Sequence, residues 1–175
     1  AECVFDGTSN NVYYAALGMY YQVVANSSRN ESEPIVSGDY IVYNDQYDIV
    51  LYNFFTGEIQ KITDDAYAQK RAKISGDYIV WEDFHNMYVG EIFLYDMTDG
   101  ETYALTNTGI AGKYVTDLDG TTLLYNETNT GTNVVSRLQF FVDPAPRVPE
   151  PFSASMLLLA SIHFMARRKH CSFPS

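Results

Sequence analysis

The chain has 175 residues, 46% of them hydrophobic and 15% aromatic, and it carries a formal net charge of −11 at pH 7. This hydrophobic content is sufficient for the core of one folded domain. Four of the basic residues follow residue 143, so the body of the chain is strongly acidic. An acidic body repels phosphate backbones and anionic lipid headgroups, which excludes nucleic acid as a partner.

One phrase of the sequence occurs twice. Ile-Val-Ser-Gly-Asp-Tyr-Ile-Val-Tyr-Asn-Asp begins at Ile35, and Lys-Ile-Ser-Gly-Asp-Tyr-Ile-Val-Trp-Glu-Asp begins at Lys73, 38 residues later. A looser version begins at Val115. A repeat of about 40 residues that is rich in strand-forming residues predicts β-units that stack side by side.

Each copy also has a second half that recurs. Residues 48–63 match residues 91–106, and a degraded form opens the chain at residues 11–25. Thr56-Gly57 and Asp99-Gly100 are predicted hairpin turns, because Gly adopts a positive φ at little steric cost. One unit therefore contains four short strands, which in one complete copy are predicted at about 72–75, 77–83, 90–97 and 101–107.

The second strand of the repeat is apolar on both faces, as at Tyr78-Ile79-Val80-Trp81. A strand that lies between two neighbouring sheets has this pattern, whereas a strand with one solvated face alternates. Four-stranded sheets packed face to face around an axis are the blades of a β-propeller. The sequence therefore predicts an all-β domain over residues 1–143, built from propeller-type four-stranded blades.

The chain contains about three and a half such repeats, with a period of about 38–44 residues. Two units are complete (33–64 and 72–107), and a partial unit lies at each end (about 3–25 and 112–143). Closed propellers usually have about four to eight blades, so three arrangements stay open. One chain closes its own ring, several chains pool their blades, or the unfinished edges pair head to tail with another copy. The last arrangement has a physical motive, because an unpaired strand edge presents free N–H and C=O groups.

These repeats resemble the TolB-like family of β-propeller repeats. The residues that carry the resemblance are 75–81, 91–96 and 100–106, their counterparts at 37–43 and 49–63, and the Asp-Gly turn within 117–125. The resemblance covers about residues 11–143 and implies the propeller fold. It implies no activity, since propellers carry many unrelated functions.

The composition changes after residue 143. Residues 144–151 form a proline-rich linker, which ends sheet pairing because Pro lacks the amide donor. Residues 152–175 are predicted as a short apolar helix followed by a basic tail. This order of parts resembles the PEP-CTERM sorting signal of bacterial surface proteins. The residues that carry the resemblance are Val148, Pro149, Glu150 and Pro151 in the motif and Arg167, Arg168 and Lys169 in the basic cluster.

The PEP-CTERM resemblance implies export, transient membrane anchoring by the tail and recognition by an exosortase-type membrane protease. It also implies cleavage near the motif and release to the cell surface or the extracellular matrix. The alternative is a C-terminal helix that docks on a protein surface, because the apolar stretch is shorter than the ~20 residues that span a bilayer.

Cys3 and Cys171 are the two cysteines of the chain. In an oxidising compartment they are able to form a disulfide within one chain or between two chains. Two unpaired thiols are the alternative, since a tail that crosses a membrane would hold Cys171 in the reducing cytosol.

The sequence contains no recognisable catalytic constellation. The three His residues do not cluster, and His85 is placed in an insertion between two predicted strands. A hydrolase needs a base beside its nucleophile, so the sequence predicts a protein that is not an enzyme and has no cofactor. Asp117 and Asp119 are candidates for a structural Ca²⁺, but their spacing matches no known calcium loop, and Asp in a turn bonds its own backbone.

Together these features predict an exported, non-enzymatic structural or adhesive protein of the bacterial cell surface. It associates with itself, as a homo-oligomer or as an extracellular filament within a biofilm matrix. The alternative is a periplasmic or surface binding module that recognises a glycan or a protein across the narrow end of a closed propeller. An enzyme that acts on glycans would need convergent carboxylates or a His at the central channel, and the sequence offers no obvious set.

Overall fold

The computed structural model of the protein describes residues 2–5, 10–14, 22–25, 29–86, 89–109, 111–129, 132–141 and 167–169. The regular secondary structure of these residues consists of β-strands alone, and the strands form four antiparallel sheets. The prediction of an all-β fold is therefore confirmed. Within the same residues, no helix is long and apolar enough to cross a membrane.

Each sheet is a meander, in which strands that follow one another in the chain are hydrogen-bonded neighbours. The first sheet has three strands, β1 (Glu2–Phe5), β2 (Asn10–Tyr14) and β3 (Gln22–Ala25). The second sheet has four, β4 (Glu31–Ser37), β5 (Tyr40–Asp45), β6 (Asp48–Asn53) and β7 (Ile59–Lys61). The third sheet has four, β8 (Gln69–Ser75), β9 (Tyr78–Asn86), β10 (Val89–Asp96) and β11 (Glu101–Ala104). The fourth sheet has four, β12 (Gly112–Asp119), β13 (Thr122–Asn129), β14 (Thr132–Gln139) and β15 (Arg167–Lys169).

The last strand of the fourth sheet comes from the basic tail. β15 runs antiparallel to β14, and Arg168 lies opposite Leu138. The repeat pattern predicts an unfinished last unit, and the structure completes that unit with residues from beyond the proline-rich linker. The predicted apolar helix over residues 152–166 and the motif at residues 148–151 lie outside the described residues.

The turn between the first two strands has the same geometry in the second, third and fourth sheets. It contains Gly38, Gly76 and Gly120, at φ values of 55°, 59° and 51°. Residues with a Cβ are strained in this left-handed region, which explains why Gly occupies the same point in each of these three repeats.

A threonine fixes the end of each complete repeat. Thr63 Oγ1 accepts a hydrogen bond of 2.8 Å from the N–H of Ile49, and Thr106 Oγ1 accepts one of 2.8 Å from the N–H of Ile92. The sequence match between residues 48–63 and 91–106 is therefore a structural equivalence as well.

The sheets pack face to face in chain order, with one hydrophobic cluster at each interface. We call the side of a sheet that packs on the next sheet its forward face, and the opposite side its rear face. Neighbouring residues of β9 show the alternation, since Val80 packs with the fourth sheet and Ile79 packs with the second sheet. This burial on both sides explains the apolar pattern of residues 78–81.

The first and fourth sheets are the two ends of this stack. Consecutive sheets contact each other extensively, whereas among the described residues no strand of the first sheet makes an extensive contact with a strand of the fourth. The first strands of consecutive sheets also lie side by side, with β4 against β8 and β8 against β12. This arrangement creates two features with functional potential, namely an open face on the fourth sheet and a groove along the first strands.

Candidate functional site

The forward faces of the second, third and fourth sheets carry the same arrangement of positions. In each sheet, two cross-strand pairs between the second and third strands occupy this face. The positions are Val42, Asn44, Ile49 and Leu51 in the second sheet, Val80, Glu82, Ile92 and Leu94 in the third, and Leu124, Asn126, Val135 and Arg137 in the fourth.

These positions are buried in two of the sheets and exposed in the last one. All four positions of the second sheet and all four of the third are buried, because the next sheet covers them. On the fourth sheet, Leu124 is 37% exposed and Val135 is 64% exposed, and Asn126 and Arg137 are exposed as well. The fourth sheet therefore presents an uncovered copy of a surface that is an interface elsewhere in the same chain. We call Leu124, Asn126, Val135 and Arg137 the open face.

One position of the arrangement is polar in all three sheets, and in the second and third sheets it forms a hydrogen bond to the next sheet. The side-chain amide of Asn44 donates a hydrogen bond of 2.7 Å to the carbonyl of Gln69, on the first strand of the next sheet. Glu82 Oε1 accepts a hydrogen bond of 2.7 Å from the N–H of Val115, again on the first strand of the next sheet. Asn126 holds this position on the open face, with an amide able to make either kind of bond.

The rear faces have a repeated feature of their own, a large aromatic residue on the second strand. Tyr43, Trp81 and Tyr125 each follow the forward-facing residue described above, and each is almost completely buried against the preceding sheet. The first sheet offers no clear counterpart, because residues 11–25 match residues 48–63 and β2 therefore corresponds to the third strand of the complete repeats.

The groove along the first strands is built on two strained residues. Glu33 and Arg71 are one repeat apart, and both have a positive φ, of 54° and 52°. Each lies at a shift in register between the first and second strands of its sheet, where a β-bulge re-aims the side chain. The groove has a volume of about 360 Å³, and its lining includes Glu33, Arg71, Lys73 and Val115.

A chain of polar contacts along this groove connects three sheets. The N–H of Arg71 donates a hydrogen bond of 2.9 Å to Glu33 Oε2, and Arg71 Nη1 lies 2.6 Å from Glu82 Oε2. The Arg71 guanidinium also lies over the ring of Tyr114, 5.4 Å from its centroid. Together with the hydrogen bond that the N–H of Val115 donates to Glu82, these contacts tie the second, third and fourth sheets together.

Burial gives Glu82 an unusual affinity for protons. Its removal from water raises its pKa from the ordinary value of 4.5 to about 7, although the charge of Arg71 and the bond from Val115 oppose this rise. The carboxyl is completely buried. Glu82 therefore takes up a proton near neutral pH, at a point where two sheets meet.

A second buried ion pair joins the third and fourth sheets. Lys113 Nζ lies 3.3 Å from Glu91 Oε2, and both side chains are almost completely buried. Burial opposes the charge on Glu91, but bonds from Thr106, Gly109 and Thr108, together with the Lys113 charge, hold its pKa below the usual range. Glu91 is therefore ionised in the folded protein at neutral pH.

Among the described residues, the two aspartates that the sequence offered for calcium are not joined by a third acidic, His or Cys ligand. Asp117 and Asp119 are exposed on β12, and Asp117 Oδ1 accepts a bond from the N–H of Leu118. The described part of the chain contains no group of three or more His, Cys, Asp or Glu residues that could hold a metal ion. Asp117 pairs with Leu124 across the sheet and so borders the open face.

The prediction that His85 lies in an insertion between two strands is wrong. His85 is on β9, which continues to Asn86, and its Nδ1 lies 2.9 Å from Asp83 Oδ1. The Phe84 N–H donates to the carbonyl of Ala68, which extends the strand past the predicted end. Cys3 is on β1, opposite Val12, while Cys171 lies outside the described residues.

Sequence reasoning missed Arg71, Glu91 and Lys113, which the structure places in buried or half-buried ion pairs. The sequence alone also did not single out Glu82. One signal in the sequence could have identified Glu82. A polar residue recurs at its position in the otherwise apolar second strand of the repeat, as Asn44, Glu82 and Asn126.

Comparison with known proteins adds little to this description. No family model matches the chain, and no curated protein matches it. Among solved structures, the chain is similar to the crystal structure of the N-terminal domain of Nup159, with a TM-score of 0.39 and 10% sequence identity. The match covers 78% of this chain and 43% of that chain, and at this level of similarity it supports no argument about function.

Proposed function

We propose that this chain is an exported, non-enzymatic structural or adhesive protein of the cell surface that assembles with itself. The observation that carries the proposal is the open face, which repeats the positions of two internal interfaces and is exposed. Exposed apolar surface that copies a buried interface is typical of an association site. Assembly through such a surface produces a homo-oligomer, a filament or a matrix.

We infer that the sheets are propeller-type blades of about one repeat each. The support is that consecutive sheets pack face to face and that their first strands adjoin, as strands around a central axis do. In this arrangement the groove at Glu33 and Arg71 lies on the axial side of the stack.

Self-assembly is tested most directly by changing the open face. Val135 holds the position at which Ile49 and Ile92 are buried in the second and third sheets. Val135→Asp places a charge there, so it is expected to weaken association at least about tenfold. The measurement is the molar mass of the full chain over a concentration series, by light scattering after size-exclusion chromatography, with negative-stain microscopy of the particles.

Phe55→Asp is the matched control for this test. Phe55 lies in the turn between β6 and β7 and is 84% exposed. Phe55→Asp therefore makes the same kind of change in charge and polarity away from the open face. We expect this variant to associate like the unchanged protein. A full chain that is monomeric at every concentration would refute the proposed assembly.

Export by the C-terminal tail is a separate part of the proposal. Its support is the order of motif, apolar stretch and basic cluster over residues 148–169. We expect native material to end near Pro149 and a Pro149→Ala, Glu150→Ala variant to keep its tail, as measured by intact mass. Native chains that continue to Ser175, with normal surface display of the variant, would contradict the assignment of a sorting signal.

The second candidate function is a surface binding module for a glycan or a protein. The groove favours it, because Arg71 and Lys73 line a half-open space of about 360 Å³ on an otherwise acidic body. A Lys73→Ala variant that keeps its stability but loses retention on an immobilised glycan or protein ligand would support this function.

A further inference from the structure

We propose that the open face pairs with the open face of a second copy of this chain, about a two-fold axis that runs parallel to β13. This inference rests on the self-assembly proposed above and names the partner surface and its symmetry. It follows from the order of charged, polar and apolar side chains across the fourth sheet. A two-fold contact closes on itself, so this surface produces a dimer, and any longer assembly would use that dimer as its unit.

One row of side chains across the fourth sheet carries opposite charges at its two ends. Asp117 on β12 lies opposite Leu124 on β13, and Leu124 lies opposite Arg137 on β14. All three residues are exposed. Among the described residues, neither Asp117 nor Arg137 forms an ion pair. The row therefore presents a negative charge, an apolar side chain and a positive charge to the surface that covers it.

A second row, next to the first, also has different residues at its two ends. Tyr114 on β12 lies opposite Asn126 on β13, and Asn126 lies opposite Val135 on β14. Tyr114 is 38% exposed although the Arg71 guanidinium lies over its ring, and Val135 is 64% exposed. A partner that covers both residues would bury apolar area, which favours association.

Pairing about an axis parallel to β13 brings the opposite ends of each row together. In the first row, Asp117 of each copy faces Arg137 of the other, because the rotation exchanges the β12 side of the face with the β14 side. Two equivalent ion pairs form, and the two Leu124 side chains meet on the axis. A two-fold interface requires this kind of reciprocal contact, in which one surface is complementary to itself.

The same rotation also matches the second row. Tyr114 of each copy covers Val135 of the other, so an aromatic ring packs on an aliphatic side chain at two places. The two Asn126 side chains meet on the axis, where two identical amides are able to pair because each amide both donates and accepts hydrogen bonds. One rotation thus gives a partner to each of the four positions of the open face.

The charges disfavour the other simple two-fold arrangement. An axis that crosses the strands along the first row places Asp117 opposite Asp117 and Arg137 opposite Arg137. Like charges that face each other across an interface repel, and their removal from water is a further cost. The distribution of charge therefore selects the axis parallel to β13.

Other surfaces of this chain fit the open face less well. The first sheet of the same copy packs on the second sheet and, among the described residues, makes no extensive contact with the fourth. The first sheet of a second copy begins, in the described part of the chain, with the second strand of the repeat, because residues 11–25 match residues 48–63. It therefore lacks the first strand to which Asn44 and Glu82 bond at the internal interfaces.

The experiment reverses the charges at the two ends of the first row, one at a time, in the full chain. Asp117→Arg and Arg137→Asp each place like charges at both ion pairs of the proposed contact. Each variant alone is expected to associate at least about tenfold more weakly than the unchanged protein. An equimolar mixture restores opposite charges at both ion pairs, so it is expected to form mixed dimers with nearly the original affinity. Native mass spectrometry separates mixed dimers from self-paired dimers by mass.

Asp39→Arg is the matched control, because Asp39 is exposed in the turn between β4 and β5, away from the open face. It is expected to associate like the unchanged protein. In a mixture with Arg137→Asp it leaves one like-charge contact, so these mixed dimers are expected to be weaker than those that contain Asp117→Arg. Circular dichroism checks the fold of each variant, and Asp117→Lys and Arg137→Glu replace the first two variants if either does not fold.

The outcomes separate this inference from the self-assembly on which it rests. If the unchanged protein associates but neither reversal weakens it, or if mixing the two reversals restores no association, the open face binds a different surface. The two-fold inference then fails while self-assembly stands. If the unchanged protein is monomeric at every concentration, both proposals fail.

Discussion

Replacing Lys113 by methionine is expected to lower the free energy of unfolding by about 3 kcal/mol, because it leaves the buried Glu91 carboxylate without its ion-pair partner. Methionine fills much of the space of the lysine side chain, so the loss reports the missing charge more than a cavity. The measurement is urea unfolding of the two proteins at pH 7.

Two further variants make this prediction specific. Lys70 is an exposed lysine on β8, so Lys70→Met is expected to change the free energy of unfolding by less than about 1 kcal/mol. Adding Glu91→Gln to Lys113→Met is expected to recover part of the loss, because the neutral amide still accepts the bonds from Thr108 and Gly109. Equal effects of Lys113→Met and Lys70→Met would contradict the role of the buried pair.

The second large effect is a dependence of stability on pH that comes from Glu82. Its pKa in the folded protein is about 7, above its ordinary value of 4.5. Relative to Glu82→Gln, the unchanged protein is expected to lose about 3 kcal/mol of unfolding free energy as the pH rises from 4.5 to 7.

The sign follows from the order of the two pKa values. Below pH 4.5 the carboxyl is protonated in both states, and the stabilising effect of the raised pKa is fully present. Between pH 4.5 and 7 the unfolded chain releases the proton while the folded protein retains it, so unfolding becomes more favourable as the pH rises. Above pH 7 both states are ionised and the difference is constant.

Unfolding midpoints in urea, measured at half-unit steps from pH 4 to pH 8, test this dependence. The exposed Glu101→Gln serves as the control for the loss of one carboxyl group from the same sheet. A constant difference between Glu82→Gln and the unchanged protein would show that Glu82 ionises normally in the folded state.

The repeat pattern was sufficient to predict the sheets but not the contacts between them. The glycines at 38, 76 and 120 and the two-sided apolar strand at 78–81 predicted turns and buried second strands, because both depend on local backbone and burial preferences. The strand β15 was not predictable, since its three residues pair with an edge that only the folded fourth sheet provides.

The buried ion pairs were not predictable either, because their partners come together only in the tertiary structure. Arg71 and Val115 meet Glu82 from positions 11 residues before it and 33 residues after it, through the bulge in β8 and the packing of the fourth sheet. Lys113 has no sequence feature that distinguishes it from a surface lysine. The open face, in contrast, follows from the repeat once Leu124 and Val135 are aligned with their buried equivalents.

Among the described residues, each sheet makes its extensive contacts with its immediate neighbours, so the core is divided into separate clusters between consecutive sheets. Loosening is expected to start at an outermost sheet and to spread inward one interface at a time, so amide protons of β9, between two covered faces, should exchange with solvent most slowly. Association through the open face would cover one of those outermost sheets, and an assembly would then resist heat and proteases better than a single copy.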